Sequence, residues 1–382
     1  MSLKVPFHLP LVGEDEKREV LESLESGWLT AGPKVKAFEA AFAEHVGARH
    51  AIAVSSCTAA LHLALLGAGV GPGDEVLTTP LTFCATVNTI LETGARPVLV
   101  DVDPRTLCMD PEAAGRAITP RTRALLPVHY AGYPAPLGAF RELATRHGLA
   151  LVDDAAHALG TAVAGVPVGL GTLATCFSFY ATKNLATGDG GMVTTEDDEL
   201  AVRLRKLALH GMSRDAWKRF TADGSWRYDV EMLGYKYNMT DPAAALGLAQ
   251  LRRFEAMQER RLELAGVYDE AMEALGLVAP PRPEAEEGTH AWHLYVVRLV
   301  ADAWPLDRDR LIEELKARGI GTSVHYIPIH HHSFYQRELG VRPGDFPHCD
   351  AAADTMLSLP LYPRMSDEDQ RLVLEALEAC RA

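Results

Sequence analysis

One lysine, one carboxylate and two hydroxyl-bearing segments of this 382-residue chain fall where an α/β sheet would present them to a ligand. In such sheets ligands bind outside the carboxyl ends of the strands. Lys183 follows a strand ending near Tyr180 and sits in a polar, Gly-rich turn, FSFYATKNLATGDGG. A lysine in a closed site loses its proton more easily, as an amine nucleophile requires. Ser178, five residues earlier, can reach a phosphate. Asp153 and Asp154 end the strand LALVDD, and His157 follows three residues after Asp154. A buried carboxylate there can accept a hydrogen bond from a protonated ring nitrogen and keep that ring electron-withdrawing. Ser55, Ser56 and Thr58 open the apolar helical run SSCTAALHLAL, and a helix N-terminus offers free N–H groups to a phosphate. Phe83, at the start of a helix in PLTFCAT, can stack on a flat ring.

Each feature alone has an ordinary reading as well: a solvated lysine, a helix-capping Asp, a plain N-cap, a core aromatic. Asp154 and His157 could begin a metal site, but no third ligand at suitable spacing is nearby. The stretch SVHYIPIHHHSFY (323–335) holds consecutive histidines at 330–332. Adjacent residues point in different directions, which favours a polar, substrate-facing loop over a metal centre. No metal is expected. Lys183 lies outside any GK[ST] phosphate loop, and GAGVGPGDEV (67–76) precedes a strand instead of following one, so it is not a dinucleotide fingerprint.

The elements that position these groups read as α/β. Apolar runs at 75–78, 97–102, 124–130, 149–154, 175–180 and 191–195 alternate with helical patterns near 57–68, 81–93, 110–118 and 136–147. This predicts a mostly parallel sheet covered on both faces. Residues 1–13 read as an extended arm, and 14–27 as a helix with Val20, Leu21 and Leu24 on one face. Pro33 opens a second helix, with Val35, Phe38, Phe42 and Val46 at helical spacing. A long helix is predicted from Asp241, capped at an Asp-Pro pair, to about residue 275. A large domain over 14–249 and a smaller α/β domain over 250–382 follow.

Hydrophobic residues make up 48% of the chain, enough for a large core, and the net charge is −14. With no Lys/Arg-rich stretch, a nucleic-acid partner is not expected. Without a signal-like core or an apolar run of about 18 residues, neither export nor a membrane span is expected, and the cytoplasm is the expected location. Six scattered cysteines lack metal spacing and read as small buried residues of a reducing compartment.

In their order, WLTAGPKVKAFE (28–39), SSCTAALHLAL, GPGDEVLTTPLTFCATVNTI, RPVLVDVD, LLPVHYAGYPA, VDDAAHALG, FSFYATKN and GIGTSVHY resemble the DegT-type sugar aminotransferases over nearly the whole chain. These are fold-type-I pyridoxal phosphate enzymes. The resemblance implies pyridoxal 5′-phosphate as cofactor, Lys183 as its Schiff-base lysine and proton shuttle, and Asp154 on the pyridinium nitrogen. It places His157 near the phenolic oxygen, Phe83 on the ring, and Thr58, the Ala59 backbone and Ser178 on the phosphate. It implies a homodimer in which LGYKYNMTD (233–241) completes a neighbour's phosphate site. Lys236 stands there where Asn is usual and Asn238 where Arg is usual, leaving open which one donates. Glutamate would be the donor, 2-oxoglutarate its product, and a nucleotide-linked keto-sugar the acceptor, with His129, Tyr130, Tyr180, His325 and Tyr326 as candidate contacts. LLPVHYAG, HAWHLYVVR and GIGT-VHY resemble the branch that forms UDP-4-amino-4-deoxy-L-arabinose for lipopolysaccharide or polysaccharide, hence C4 of a UDP-4-keto-pentose or -hexose. A dTDP-keto-deoxysugar is the alternative. Dehydratases of this fold carry His at the lysine position, and a non-catalytic regulator would need no Lys183, Asp154 and Ser178 together.

Overall fold

A computed structural model describes residues 3–213, 228–300 and 303–381. Strands β1 (His50–Val54), β2 (Glu75–Thr78), β3 (Arg96–Leu99), β4 (Thr122–Leu126) and β5 (Ala150–Asp154) come first. A short hairpin of β6 (Ala162–Val163) and β7 (Val166–Pro167) precedes β8 (Ala174–Ser178) and β9 (Gly191–Thr195). Seven of these form one sheet in the order β1-β9-β8-β5-β4-β2-β3. Pairing from β8 through β3 is parallel, and β9 runs against both of its neighbours.

Strands such as β2 and β9 are buried at every residue, so helices must cover both faces. These are α1 (Glu14–Glu25), α2 (Pro33–Val46), α3 (Cys57–Gly67), α4 (Cys84–Glu92), α5 (Pro111–Ala117), α6 (Leu137–His147) and α7 (Asp198–Leu207). The apolar helix α3 is buried along most of its length and shares a core with α7 and the sheet. On another core, Val35, Phe38, Phe42 and Val46 of α2 pack with Phe177 and Phe179.

The chain then forms α8 (Asp241–Arg252), α9 (Phe254–Leu275), β10 (Leu277–Val278), β11 (Gly288–Thr289), β12 (Tyr295–Leu299), α10 (Arg308–Ala317), α11 (Ser333–Leu339), α12 (Pro347–Thr355), β13 (Met356–Leu359) and α13 (Asp367–Arg381). A separate core joins α9, α10 and α13 to the antiparallel sheet β10-β12-β13. Val5 of the N-terminal arm belongs to that core, pairs with Ile320, and shares the Gly319 carbonyl with Lys4.

Three expectations are corrected. The single helix from 241 to 275 is two, broken at Arg253 (φ −117°, ψ 14°), whose guanidinium donates to the Leu11 carbonyl at 2.8 Å. Asp241 is not the cap of α8, because Thr240 holds that position. The Asp241 carboxylate instead accepts the N–H groups of Gly32 (2.7 Å), Lys34 (3.1 Å) and Val35 (3.1 Å), capping α2 behind a residue with no side chain of its own. In α1 the polar face is the buried one. Glu16 accepts from Gln250 at 2.9 Å, and Glu19 holds Lys34 and Arg252 at 2.5 Å each. Leu21 and Leu24 are turned outward, 54% and 52% exposed.

Candidate active site

Side chains on a strand alternate between its faces, so neighbouring aspartates at the end of β5 must part. Asp153 points into the core, where Thr172 Oγ1 (2.6 Å), Thr175 Oγ1 (2.8 Å) and His129 Nε2 (3.2 Å) surround it. Asp154 accepts from Thr86 Oγ1 at 2.8 Å and from the Ala156 N–H at 3.0 Å. Burial raises its carboxyl above the usual range, against the pull of those hydrogen bonds and of Lys183.

Lys183 lies in the turn after β8, its N–H on the Tyr180 carbonyl at 2.8 Å. The protein packed around its amine lowers the pKa from the usual lysine value to about 8, while Cys57 and Asp154 pull it back upward. Its Nζ is 3.4 Å from Nε2 of His293. The His293 ring lies 4.5 Å from that of His157, and Tyr326 follows, stacked on His157 at 5.9 Å and tilted against Phe83 at 5.8 Å. His157 accepts the Ala131 N–H on Nδ1 (3.2 Å), so its Nε2 carries the proton and donates to Tyr326 Oη at 2.8 Å. Burial first and Lys183 second press both His157 and His293 far below the ordinary histidine value. His325 is lowered to about 4 by burial and Lys183, and bonds Ser358 Oγ through Nδ1 at 2.8 Å. Phe83 remains 57% exposed at the start of α4.

The α3 N-terminus reaches this group because Gly191 of β9 lies beneath it. A Cβ there would sit 2.5 Å from the Ser56 carbonyl carbon and oxygen. Ser56 Oγ accepts the Ala59 N–H at 3.1 Å, so that amide already has a partner, while half-buried Thr58 lies in the first turn. Ser178 ends β8 and accepts the Tyr180 N–H at 3.3 Å, which leaves its hydroxyl hydrogen to donate. Tyr180 is exposed. The segment with Lys236 and Asn238 runs beside the β1–α3 turn: Asn238 bridges Val54, and the Ser55 N–H donates to Tyr237 at 2.7 Å. Exposed Lys236 donates to Asn238 Oδ1.

Two of the expected sugar contacts are corrected. His129 is fully buried, its Nδ1 accepting the Ala135 N–H at 3.0 Å and its Nε2 bonded to Asp153. Tyr130 is buried in a core with Leu81 and Val296, its hydroxyl donating to the His325 carbonyl. The histidine run also differs from its reading. In a short 3₁₀ turn, Nε2 of His330 (2.7 Å) and of His331 (2.5 Å) converge on Asp350 Oδ1, and His330 is wholly buried instead of facing a substrate. These three are the one group among the described residues spaced for a metal ion. The buried Nδ1 of His330 has no partner, whereas a ligating histidine passes its second N–H to an acceptor. Two imidazole donors on one carboxylate account for the trio.

Sequence reasoning missed Thr86, Asn184 and His293. Asn184 and His293 lie within the motifs FSFYATKN and HAWHLYVVR, but their roles depend on contacts more than 100 residues apart.

An amine that gives up its proton around pH 8, a buried carboxylate sharing its field, an exposed ring and a helix N-terminus with flanking hydroxyls fit a pyridine aldehyde bearing a phosphate. On this sheet they define a pyridoxal-phosphate-dependent transferase. Residues 10–378 match the model of the DegT/DnrJ/EryC1/StrS aminotransferase family, and the chain belongs to that family. It is 52% identical over 375 residues to the spore coat polysaccharide biosynthesis protein SpsC of Bacillus subtilis, covering 98% of this chain and 96% of the relative. Its fold matches the putative sugar aminotransferase Spr1654 of Streptococcus pneumoniae in its PMP form, with TM-score 0.93, 32% identity and 99% of each chain covered. It also matches PseC of Helicobacter pylori, an aminotransferase involved in the biosynthesis of pseudoaminic acid, with TM-score 0.90, 28% identity and 98% of each chain covered. The protein is a pyridoxal-phosphate-dependent sugar aminotransferase.

Proposed function

We propose that this enzyme moves an amino group from glutamate to the C4 keto carbon of a UDP-linked 4-keto-pentose or 4-keto-hexose. The observation that carries the chemistry is the pair Lys183 and Asp154, a half-buried amine and a buried carboxylate each in the other's field. Bound pyridoxal phosphate supplies an electron sink for the charge left when a proton leaves the carbon bearing the amino group. Lys183 is the amine that attaches the cofactor and, once released, takes and returns that proton. Asp154 would hold a proton at the ring nitrogen, and His157 would lie near the phenolic oxygen. Thr58 and Ser178 hold the phosphate with the α3 N-terminus. Phe83 would stack on the ring, and Tyr180, His325 and Tyr326 would border the space for the sugar.

The sugar assignment rests on the UDP-4-keto-pentose motifs, and SpsC's role in a coat polysaccharide supports a product destined for a surface polymer. A homodimer is part of the proposal. Leu21, Leu24, Trp28 and Leu29 are all exposed within one short stretch, as suits a subunit interface. Lys236 and Asn238 would serve the neighbour's phosphate site. The large and small domains would meet near residue 250.

The test is a panel of UDP- and dTDP-linked keto-sugars with glutamate, with products located by NMR. Consumption of a UDP-4-keto-sugar with release of 2-oxoglutarate is expected. Turnover confined to dTDP-sugars or to 3-keto-sugars would overturn the assignment.

A further inference from the structure

His293 is not needed by the roles above, yet its Nε2 lies within hydrogen-bond reach of the reactive amine. Its protonation state can be read from a chain of amides. The Ala291 carbonyl is approached by Asn184 Nδ2 at 2.7 Å and by Gln258 Nε2 at 2.6 Å. A carbonyl only accepts, so both side-chain atoms must be amide nitrogens, and neither amide can be flipped. The Oε1 of Gln258 then takes the second Asn184 N–H, at 3.1 Å. Asn184 Oδ1 is left facing Nδ1 of His293 at 3.2 Å, and an oxygen requires a donor there. The His293 proton is therefore on Nδ1, and Nε2 turns a bare lone pair to Lys183 Nζ at 3.4 Å.

We infer that His293 is a positioning residue: locked by Asn184 as the Nδ1–H tautomer, it accepts an N–H from Lys183, holds the amine in place, and favours its protonated form. The inference rests on the reading of Lys183 as the attachment lysine. Burial, Lys183, His157, Arg261 and His325 all keep the imidazole itself neutral, so it stays an acceptor across the working pH range. Asp154 and Cys57 also face Lys183 and act in the same direction as His293, against desolvation.

Glutamine and asparagine separate the two ring nitrogens. His293→Gln can place a carbonyl oxygen where Nε2 was, whereas His293→Asn can replace only the Nδ1–H bond to Asn184. The measurement is the rate at which added pyridoxal phosphate restores the visible absorption band of cofactor-stripped, full-length protein, followed against pH. That rate tracks the unprotonated amine. In His293→Asn the midpoint falls by about one pH unit, and in His293→Gln it returns toward wild type. If His293→Asn does not fold, Asn184→Leu serves: it leaves the ring but frees the tautomer, and the midpoint again falls. Borohydride reduction and peptide mapping accompany each variant. Cofactor on the Lys183 peptide with an unmoved midpoint overturns the role of His293 and leaves Lys183 standing. Cofactor mapped to another lysine overturns both.

Discussion

The two sides of β5 hold the same kinds of residue and do different work. On one side Asp153 is closed in by two threonine hydroxyls and His129, itself bonded to the Ala135 amide. On the other, Asp154 meets one hydroxyl, one amide and the field of Lys183, with His157 and His293 beyond. An Asp–His pair saturated by neighbours is scaffolding. Asp154 instead shares the field of a half-buried amine beside an exposed aromatic ring.

Substitutions can break this contrast. Lys183→Ala should lower turnover by more than about 10⁴-fold while far-UV circular dichroism stays unchanged, since both the attachment and the proton transfer are lost. Asp154→Asn should reduce kcat by about 10³-fold with little change in melting temperature. Asp153→Ala should do the reverse. It removes the shared acceptor of Thr172, Thr175 and buried His129 and costs about 3–5 kcal/mol in urea unfolding, with kcat per folded molecule preserved. A large kcat loss in Asp153→Ala, at full folding, would erase the distinction.

The wild-type pH response sharpens it further. A folded-state lysine pKa of about 8 means the amine is mostly protonated below that pH and free above it. Cofactor attachment to stripped protein should therefore speed up as pH rises through about 8, and a midpoint near the ordinary lysine value of about 10.4 would show the site to be open to water. Lys236→Ala should weaken cofactor retention by about tenfold, measured by dialysis. Mixed with Lys183→Ala protein, it should regain activity only if subunits share a site. The smallest effect is expected for Leu21→Glu with Leu24→Glu. Monomer stability should stay within about 0.5 kcal/mol, while sedimentation shows weakened self-association.

Much of this was legible in the sequence, for identifiable reasons. Strand ends and helix starts are local patterns, so the immediate neighbours of Asp154, Lys183 and Thr58 in the chain suffice to place them. The apolar stripe of α1 was also visible, but nothing local told that Glu16 and Glu19 would find Gln250, Arg252 and Lys34 and turn the stripe outward. His129 and Tyr130 stand just past the end of β4 and read as open contacts. Asp153, Ala135 and the His325 carbonyl, distant or facing from other elements, close them off. The tautomer of His293 depends on Asn184, Gln258 and Ala291 meeting, which no periodicity encodes.

Asp241 carries a consequence for synthesis of the chain. Its carboxylate supplies the cap of α2, to Gly32 at a separation of 209 residues. At a translation rate of roughly 5–20 residues per second, the first turn of α2 waits roughly 10–40 s for that acceptor to be made. Until then, Phe38 and Phe42 belong to a helix whose N-terminal amides are served by water, and the nascent chain must keep two large rings from premature partners.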